Sequence, residues 1–398
     1  TGMIQADDEI AFRVGGTLTN QGTIQSTSSN VQAHIGRDFK NIAVPDTSEI
    51  SQLTGGIIEA GGNVQVDYNL DTKHTYIGVA TPETGEKPTI DGIYNSGLIW
   101  AKGDKDPVKK PDGTVDANSG SGNIWLTSSY NLTNYGTMEA GRQITLNARD
   151  FLHNHGLIEG VTYLDIKSIM GYVYNHKDAT IKATGGNIDL SSGQANLQID
   201  GDTNGQKKEE YRKFTPIIIE GKVEATSALN NTTSETNQGN INIRAYLGDI
   251  YVDGGTIEAK AGPNGEVESV AGNVTLDAAQ NITIGFETVK AWADDPTTEN
   301  TDGYHPEYVS DTERVYYKPL KDTSGNLVSG NAANISGTNI ILTSGSGNTI
   351  SMSTVNNTLT ASKAITIDTA SMNIVGGTFN ANTLAASKNL NIAGGTIN

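Results

Sequence analysis

Two aspartates lie at matching positions of related segments and are the strongest candidates for acid–base chemistry in this chain. Asp165 lies in YLDIKS and Asp189 lies in NIDLSS. Glycoside hydrolysis needs two carboxyl groups at a defined separation, and calcium-assisted cleavage needs acidic ligands beside a basic residue. The repeat places no Arg or Lys beside the pair, and the chain has no nucleophile elbow, phosphate loop or metalloprotease motif. Polar occupancy of an outward-facing position explains the pair better, so we predict no catalytic residue and no enzyme activity.

Three of the 6 histidines are close in sequence or in repeat position, at His153, His155 and His176. His155 and His176 occupy the same position of successive repeats. Three imidazoles this close have the chemistry to bind zinc or nickel. Outward stacking of the planar rings is the more ordinary explanation, so we predict no metal site and no cofactor.

Residues 286–330 are rich in aromatic side chains within a chain that otherwise favours Thr, Asn and Gly. Aromatic faces stack on sugar rings and carboxylates bond sugar hydroxyls, which favours receptor binding. The other explanation is that a long insertion needs a small core of its own, built from these rings. The candidates for receptor contact in this segment are Trp292, Tyr304, Tyr308, Tyr316 and Tyr317.

Two tryptophans, Trp100 and Trp125, fall at repeat positions that are usually polar. An outward-facing indole is either covered by another segment or contacts a partner. Insertions 68–91 and 102–120 are the segments that would cover these rings, and a glycan or protein receptor is the alternative. The predicted column of Trp125 contains Gln65, Thr145, Asp165, Asp189 and Tyr251.

The elements that position these residues are copies of one degenerate unit, apolar-x-Asn-x-Gly-x-apolar-x-small. The copies include TLTNQGTIQS (17–26), GIYNSGLIWA (92–101), NLTNYGTMEA (131–140) and FLHNHGLIEG (151–160), and a Gly-Gly variant recurs as in DGGTIEA (253–259). Related strands such as GNINI (239–243), GDIYV (248–252) and QNITI (280–284) lie between them. Repeats of about 20 residues indicate a solenoid.

The apolar alternation predicts how one coil is built. Each coil offers three short strands that stack on the equivalent strands of the next coil, about 4.8 Å apart. We predict an all-β, parallel β-helix that forms a single domain over residues 1–398. Buried Asn side chains of the repeat bond each other in a column, and the following Gly residues supply positive φ. The column contains Asn20, Asn95, Asn134, Asn154 and Asn175. The predicted insertions are 68–91, 102–120, 201–216, 227–239, 261–271 and 286–330.

The composition excludes several partners. Acidic residues outnumber basic ones by 45 to 27, for a net charge of −18, which argues against nucleic acid and anionic lipid. No apolar run is long enough to span a membrane. The chain has no cysteine, which suits passage across a membrane in the unfolded state. It has no signal peptide, and we expect a segment of a longer protein whose targeting signals lie elsewhere.

The repeats and their spacing resemble the filamentous-haemagglutinin family of large secreted exoproteins, which includes adhesins and contact-dependent inhibition proteins. The resemblance implies that the parallel β-helix is right-handed. It also implies a shaft segment at the bacterial surface, secreted through an outer-membrane transporter of the parent protein. We therefore predict a structural and adhesive segment whose insertions bind a host or bacterial glycan or protein receptor. Two alternatives stay open. One is a spacer shaft of a toxin-delivery protein, and the other is a polysaccharide lyase or hydrolase.

Overall fold

The computed structural model forms two compact units, Thr1–Arg149 and Asp150–Asn398. Both are built from strands, and the described residues contain no helix. It follows that none of the described residues lies in a helix able to cross a membrane. The structure describes residues 2–36, 38–45, 53–54, 56–68, 92–103, 122–128, 131–193, 215–227, 239–262, 270–294, 308–310, 313–353, 355–387, 390–392 and 395–398.

The first unit is a set of short strands that stack on strands one repeat away. Its strands are β1 (Met3–Ala6), β2 (Ile10–Val14), β3 (Leu18–Asn20), β4 (Thr23–Ser26), β5 (Val31–Ile35), β6 (Phe39–Asn41), β7 (Val44–Pro45), β8 (Leu53–Thr54), β9 (Ile57–Ala60), β10 (Val64–Tyr68), β11 (Ile93–Asn95), β12 (Leu98–Ala101), β13 (Ile124–Ser128), β14 (Leu132–Asn134), β15 (Thr137–Ala140) and β16 (Gln143–Ala148).

Parallel pairing arranges these strands in separate ladders. Ladder A runs β2–β5–β10–β13–β16, ladder B runs β3–β6–β11–β14, and ladder C runs β1–β4–β9–β12–β15. The register joins like residues, as in Leu126 with Leu146 and Ile99 with Met138. These side chains are buried, which confirms the predicted inward alternation. β7 and β8 pair antiparallel.

The second unit repeats the same plan over more strands. Its strands are β17 (Leu152–Asn154), β18 (Leu157–Gly160), β19 (Tyr163–Ser168), β20 (Val173–Asn175), β21 (Thr180–Ala183), β22 (Asn187–Ser192), β23 (Ile217–Ile219), β24 (Lys222–Thr226), β25 (Ile241–Ala245), β26 (Ile250–Val252), β27 (Thr256–Lys260), β28 (Val274–Ala278), β29 (Ile282–Ile284), β30 (Thr288–Asp294), β31 (Tyr308–Ser310), β32 (Glu313–Pro319), β33 (Asn334–Ser344), β34 (Thr349–Met352), β35 (Thr358–Asp368), β36 (Ser371–Ile374), β37 (Thr378–Asn380), β38 (Thr383–Ala386), β39 (Leu390–Ile392) and β40 (Thr396–Ile397).

Its ladders are also parallel. Ladder A runs β19–β22–β25–β28–β33–β35–β38 and ladder B runs β17–β20–β23–β26–β29–β34–β36–β39. Ladder C runs β18–β21–β24–β27–β33–β35–β37–β40. The long strands β33 and β35 each serve both A and C. The architecture is therefore all-β, mostly parallel and solenoid-like, as predicted.

A buried amide ladder links the coils of the first unit. The Nδ2 of Asn20 donates to Oδ1 of Asn41 at 2.9 Å, and Asn41 donates in the same way to Asn95 at 2.8 Å. Asn95 donates to Asn134 at 2.8 Å. The predicted Asn column is confirmed and contains Asn41 as a further member. In the second unit Asn154 donates to Asn175 at 2.8 Å, after which ladder B continues with Ile219 and other apolar residues.

The predicted role of the Asn-x-Gly glycines is wrong, because they do not adopt positive φ. They are required for close approach between coils. A Cβ on Gly97 would lie 2.0 Å from the carbonyl oxygen of Gly56, and a Cβ on Gly136 would lie 2.1 Å from that of Gly97. Left-handed backbone is found instead in the Gly-Gly variant, as at Gly254 with φ 74.

Candidate functional site

The outward face of ladder A in the second unit carries two columns of polar side chains. In the first column Asp165 lies beside Asp189, and Asp189 lies beside Asn242. In the second column Lys167, Ser191 and Arg244 follow each other in the same register. Parallel strands place neighbours in a column about 4.8 Å apart. Together with Tyr246 these residues line an open groove of about 630 Å³.

Hydrogen bonds inside the groove hold Asp189 and Asp165 in different settings. Asp189 accepts a bond from the Tyr163 hydroxyl and a 2.7 Å bond from Nδ2 of Asn242. Asp165 is 3.3 Å from Nζ of Lys167, so the prediction that no Arg or Lys lies beside the two aspartates is wrong. Burial, then the bond to Asp189, raises the pKa of Tyr163, so its hydroxyl stays a donor. Both oxygens of Asp189 are therefore engaged as acceptors, which suits positioning more than proton transfer.

The end of the groove pairs a cation with an aromatic ring. The guanidinium of Arg244 lies 5.6 Å from the ring centre of Tyr246, and its Nε is 2.9 Å from Oδ2 of Asp277. Tyr246 is 37% exposed. A planar donor, a carboxylate, an amide and an exposed aromatic face along one groove are the groups that bind sugar hydroxyls and pyranose faces. Sequence reasoning missed Asn242, Arg244 and Tyr246, although Asn242 continues the column of Asp165 and the other two follow it at alternating positions.

The aromatic segment 286–330, called the excursion, lies between strands β29 and β33 of the second unit. β30 and β32 pair antiparallel, with Trp292 opposite Val315 and Ala291 opposite Tyr316. β31, which contains Tyr308, pairs with β32. The side chains of Trp292, Tyr308 and Tyr316 and the whole of Tyr304 lie outside the described residues, so their receptor contacts stay predictions. Most of insertions 68–91, 102–120, 201–216, 227–239 and 261–271 also lies outside them, and the single-domain prediction stays a prediction.

Tyr317 is the described aromatic residue of this excursion among the candidates. It is 8% exposed and its ring packs edge-on to Tyr172 at 5.1 Å and to Tyr174 at 5.0 Å. Ile218 and Tyr251 belong to the same buried cluster. Tyr317 thus packs on ladder B of the scaffold, which fits the packing explanation at this position.

A buried carboxylate ties the two ends of the excursion together. Asp253 is 5% exposed. Its Oδ2 accepts from the Thr288 amide at 2.9 Å, and its Oδ1 accepts from the Asn331 amide at 2.9 Å. The amide of Gly330 also donates to the carbonyl of Gly285 at 2.9 Å. Asp253 therefore fixes where the segment leaves and re-enters the ladder.

The two tryptophan candidates lie in the first unit, in the predicted columns. Trp100 pairs with Glu59 and Glu139, and Nζ of Lys102 lies 4.4 Å from its ring centre. Trp125 pairs with Gln65 and Thr145. Both indoles are half-buried.

The placement of Tyr251 in the column of Trp125 is wrong. Tyr251 belongs to β26 in ladder B, where it pairs with Ile218 and Thr283. The prediction failed because GDIYV and GNINI look alike in sequence. β25 begins inside the GNINI segment and is the ladder A strand of that coil, so the GDIYV segment forms the ladder B strand β26.

The three histidines come together at ladder B of the second unit. His155 stacks on His176 with ring centres 3.6 Å apart, and Tyr174 stacks on the other side of His176 at 3.6 Å. The predicted stacking of His155 and His176 is therefore present. His153 is buried at 7% exposure and meets the edge of Phe151 at 5.3 Å.

No protein-family model, no curated protein and no solved structure matches this chain.

Proposed function

We propose that this chain is a right-handed parallel β-helix with coils of about 20 residues and three short strands per coil. In this proposal it is a structural and adhesive segment of a secreted bacterial surface exoprotein of the filamentous-haemagglutinin type, exported through an outer-membrane transporter. Its receptor is a surface glycan, and it does not turn the glycan over. The right hand follows from the strong preference of parallel crossover connections for that hand.

The observation that carries the proposal is the groove on ladder A of the second unit. It presents Asp189, Asn242 and Arg244 in register on rigid strands, with the exposed ring of Tyr246 at its end. Rigid strands hold such groups without an ordering cost on binding. An extended saccharide lying across the strands would meet a new polar pair at each coil, which suits a polymeric ligand.

The internal bonds of Asp189 favour binding over catalysis. Its carboxylate accepts from Tyr163 and Asn242, so it is oriented to accept from ligand hydroxyls and not to move a proton. The proposal includes a second contact region in the excursion, formed by the aromatic candidates Trp292, Tyr304, Tyr308 and Tyr316. The variant Trp292→Ala distinguishes this region from the groove.

The test is a glycan array probed with the full chain, followed by titration calorimetry on each positive glycan. We expect saturable binding that the double substitution Arg244→Ala, Tyr246→Ala weakens by more than about tenfold, the scale of a central contact at an interface. Lys182→Ala is the matched control, since Lys182 is a cation of the same unit paired with Glu159 on ladder C. It should leave binding unchanged.

The remaining outcomes contradict the proposal in distinct ways. Binding that Trp292→Ala abolishes and the groove variant does not would move the receptor site to the excursion. Release of reducing ends that Asp165→Asn and Asp189→Asn stop would establish a glycan-degrading enzyme. A chain that binds neither glycans nor bacterial or host cells is a spacer shaft.

A further inference from the structure

Three imidazoles in the second unit arise from two neighbouring strands in register. His153 is the middle residue of β17, and its strand partner is Tyr174 of β20. The next pair is Asn154 with Asn175, so His155 and His176 follow at equivalent positions of successive coils. The solenoid geometry therefore brings together the side chains of His153 and His176, which are 23 residues apart in sequence.

The ring nitrogens lie close together. Nδ1 of His153 lies 2.7 Å from Nε2 of His176. One ligand nitrogen from each of the three histidines falls within 4.8 Å of the others. Nitrogens bound to tetrahedral zinc lie about 2.0–2.1 Å from the ion and hence about 3.4 Å from each other. The observed spacings bracket that value. Because the rings of His155 and His176 are stacked at 16°, binding one ion requires the half-exposed His155 ring to turn out of the stack until a nitrogen lone pair points at the ion.

A second layer of residues orients the histidines. The hydroxyl of Tyr172 lies 2.9 Å from Nε2 of His153, and this contact directs the opposite nitrogen of His153 towards His176. Tyr172 is fully buried and stacks on Phe151 with ring centres 5.3 Å apart. Metal-binding histidines almost always use their second nitrogen in such a bond, which fixes the tautomer and the ring plane.

Aromatic side chains pack around the histidines. Tyr174 stacks on His176 with ring centres 3.6 Å apart, and Phe151 lies edge-on to His153 at 5.3 Å. His153 is buried, while His155 and His176 are half-exposed, so an ion can reach the cluster from solvent.

We propose that His153, His155 and His176 form a binding site for one divalent transition metal ion of the zinc, copper or nickel class, with Tyr172 as a positioning residue. His153 ligates through Nδ1 while its Nε2–H donates to the oxygen of Tyr172. His176 ligates through Nε2, and the proton shared between this nitrogen and Nδ1 of His153 moves, by exchange with solvent, to the other nitrogen of the ring that carries it, so both rings stay neutral. The fourth position is open to water or to a partner's ligand.

The test is calorimetric titration of the untagged full chain with zinc chloride near pH 7.5, with cobalt chloride as a spectroscopic probe. We expect one equivalent of zinc per chain, a visible cobalt spectrum of tetrahedral type, and a rise in melting temperature with zinc concentration. His155→Ala should weaken zinc binding by more than about 100-fold, and Tyr172→Phe by about 10- to 100-fold, the range for loss of an outer-shell partner.

His34→Ala is the matched control, because His34 is an exposed histidine on β5 of the first unit. It should leave the affinity and the cobalt spectrum unchanged. His155 is half-exposed, so its removal leaves the fold intact, and circular dichroism verifies this. Zinc binding that is absent, or that is equally strong in wild type, His155→Ala and His176→Ala, overturns the proposal and makes the cluster a structural aromatic stack.

Discussion

The amide ladder of the first unit makes a sharp energetic prediction at Asn95. This residue is fully buried. Its Nδ2 donates to Asn134 Oδ1 at 2.8 Å, to the Gly97 carbonyl at 3.2 Å and to the Thr137 carbonyl at 3.4 Å. Its Oδ1 accepts from Asn41 at 2.8 Å and from the Gly97 amide at 3.2 Å. One side chain therefore serves three coils.

The substitution Asn95→Ala removes a partner from two polar groups at once. The half-buried Gly97 amide loses a hydrogen bond worth about 0.5–1.5 kcal/mol, and the buried Asn134 side chain loses one worth about 1–3 kcal/mol. Taking the middle of both ranges gives a loss of about 3 kcal/mol in the free energy of unfolding. Thr133→Ala is the control in the same ladder, since Thr133 is half-exposed and should change stability by less than about 0.5 kcal/mol.

Asn95→Asp separates hydrogen bonding from packing. It has the same shape, but an oxygen replaces Nδ2 and faces the Asn134 amide oxygen and the carbonyls of Gly97 and Thr137. We expect it to be at least as destabilising as Asn95→Ala at pH 7. Its folded pKa should lie above the unfolded value of about 3.9, so the penalty should shrink as the pH falls from 7 to 5. The assay is urea unfolding followed by circular dichroism, with hydrogen exchange at the Gly97 amide. An Asn95→Asp protein as stable as wild type at pH 7 would refute the reasoning.

Three further predictions follow from single contacts. Gly97→Ala should lower the melting temperature strongly, because its Cβ would lie 2.0 Å from the Gly56 carbonyl oxygen. Gly16→Ala is the control and should not lower it, because a Cβ there would have nothing within 4 Å. Calorimetry of both variants tests this difference. Asp253→Ala should make residues near Thr288 and Asn331 susceptible to limited proteolysis while ladder B stays protected from hydrogen exchange, because the carboxylate bonds both ends of the excursion. Burial would raise the pKa of Glu224, but bonds from Lys222 and Lys260 outweigh it and hold that pKa below its usual value. The carboxylate therefore stabilises the fold above its unfolded pKa of about 4.5 and this contribution disappears as the pH falls through the folded pKa. Glu224→Gln should destabilise at pH 7 by about 1–3 kcal/mol and match wild type in strong acid, as thermal unfolding against pH would reveal.

The sequence was sufficient to predict which residues of most strands face inward, because period and turn residues act locally. Alternating apolar residues fix which side chains face inward, and a one-residue slip would expose all of them. The Asn-x-Gly unit located Asn95, Asn134 and Asn154. Asn41 was missed because the segment FKNIAV lacks the following glycine. The register alone identifies it, through its pairing with Asn20 and Asn95.

A second set of asparagines was also missed although its signal is in the sequence. Asn30 Oδ1 accepts from the Asn63 amide at 2.8 Å, and Asn240 Oδ1 accepts from the Asn273 amide at 2.8 Å. Each of these residues directly precedes an apolar strand residue, and Asn63, Asn240 and Asn273 follow a glycine whereas Asn30 follows Ser29. Each side chain caps the backbone of the following coil, so the Gly-Asn pair that marks these strands has the same physical cause as the Asn-x-Gly turns.

The groove and the histidine cluster depend on which ladder a strand joins, and similar strands join different ladders. Tyr251 and Asn242 illustrate this. Both follow an isoleucine in a strand preceded by glycine and a polar residue, yet Asn242 lies in the exposed column of ladder A and Tyr251 in the buried face of ladder B. Counting insertions removes this ambiguity only when each insertion length is known, and sequence alone does not fix that length.

The outward positions of ladder B contain a signal that sequence reasoning can use. In the first unit the middle residues of β11 and β14, Tyr94 and Thr133, are half-exposed. In the second unit the middle residues of β23 and β26, Ile218 and Tyr251, are buried and share a cluster with Tyr317 of the excursion. An apolar residue at an outward position of a solenoid strand therefore predicts a covering segment. The three consecutive isoleucines at 217–219 therefore predict that another segment covers their outward position, because an aliphatic surface would otherwise be exposed to water there. In the structure Tyr317 of the excursion shares a buried cluster with Ile218.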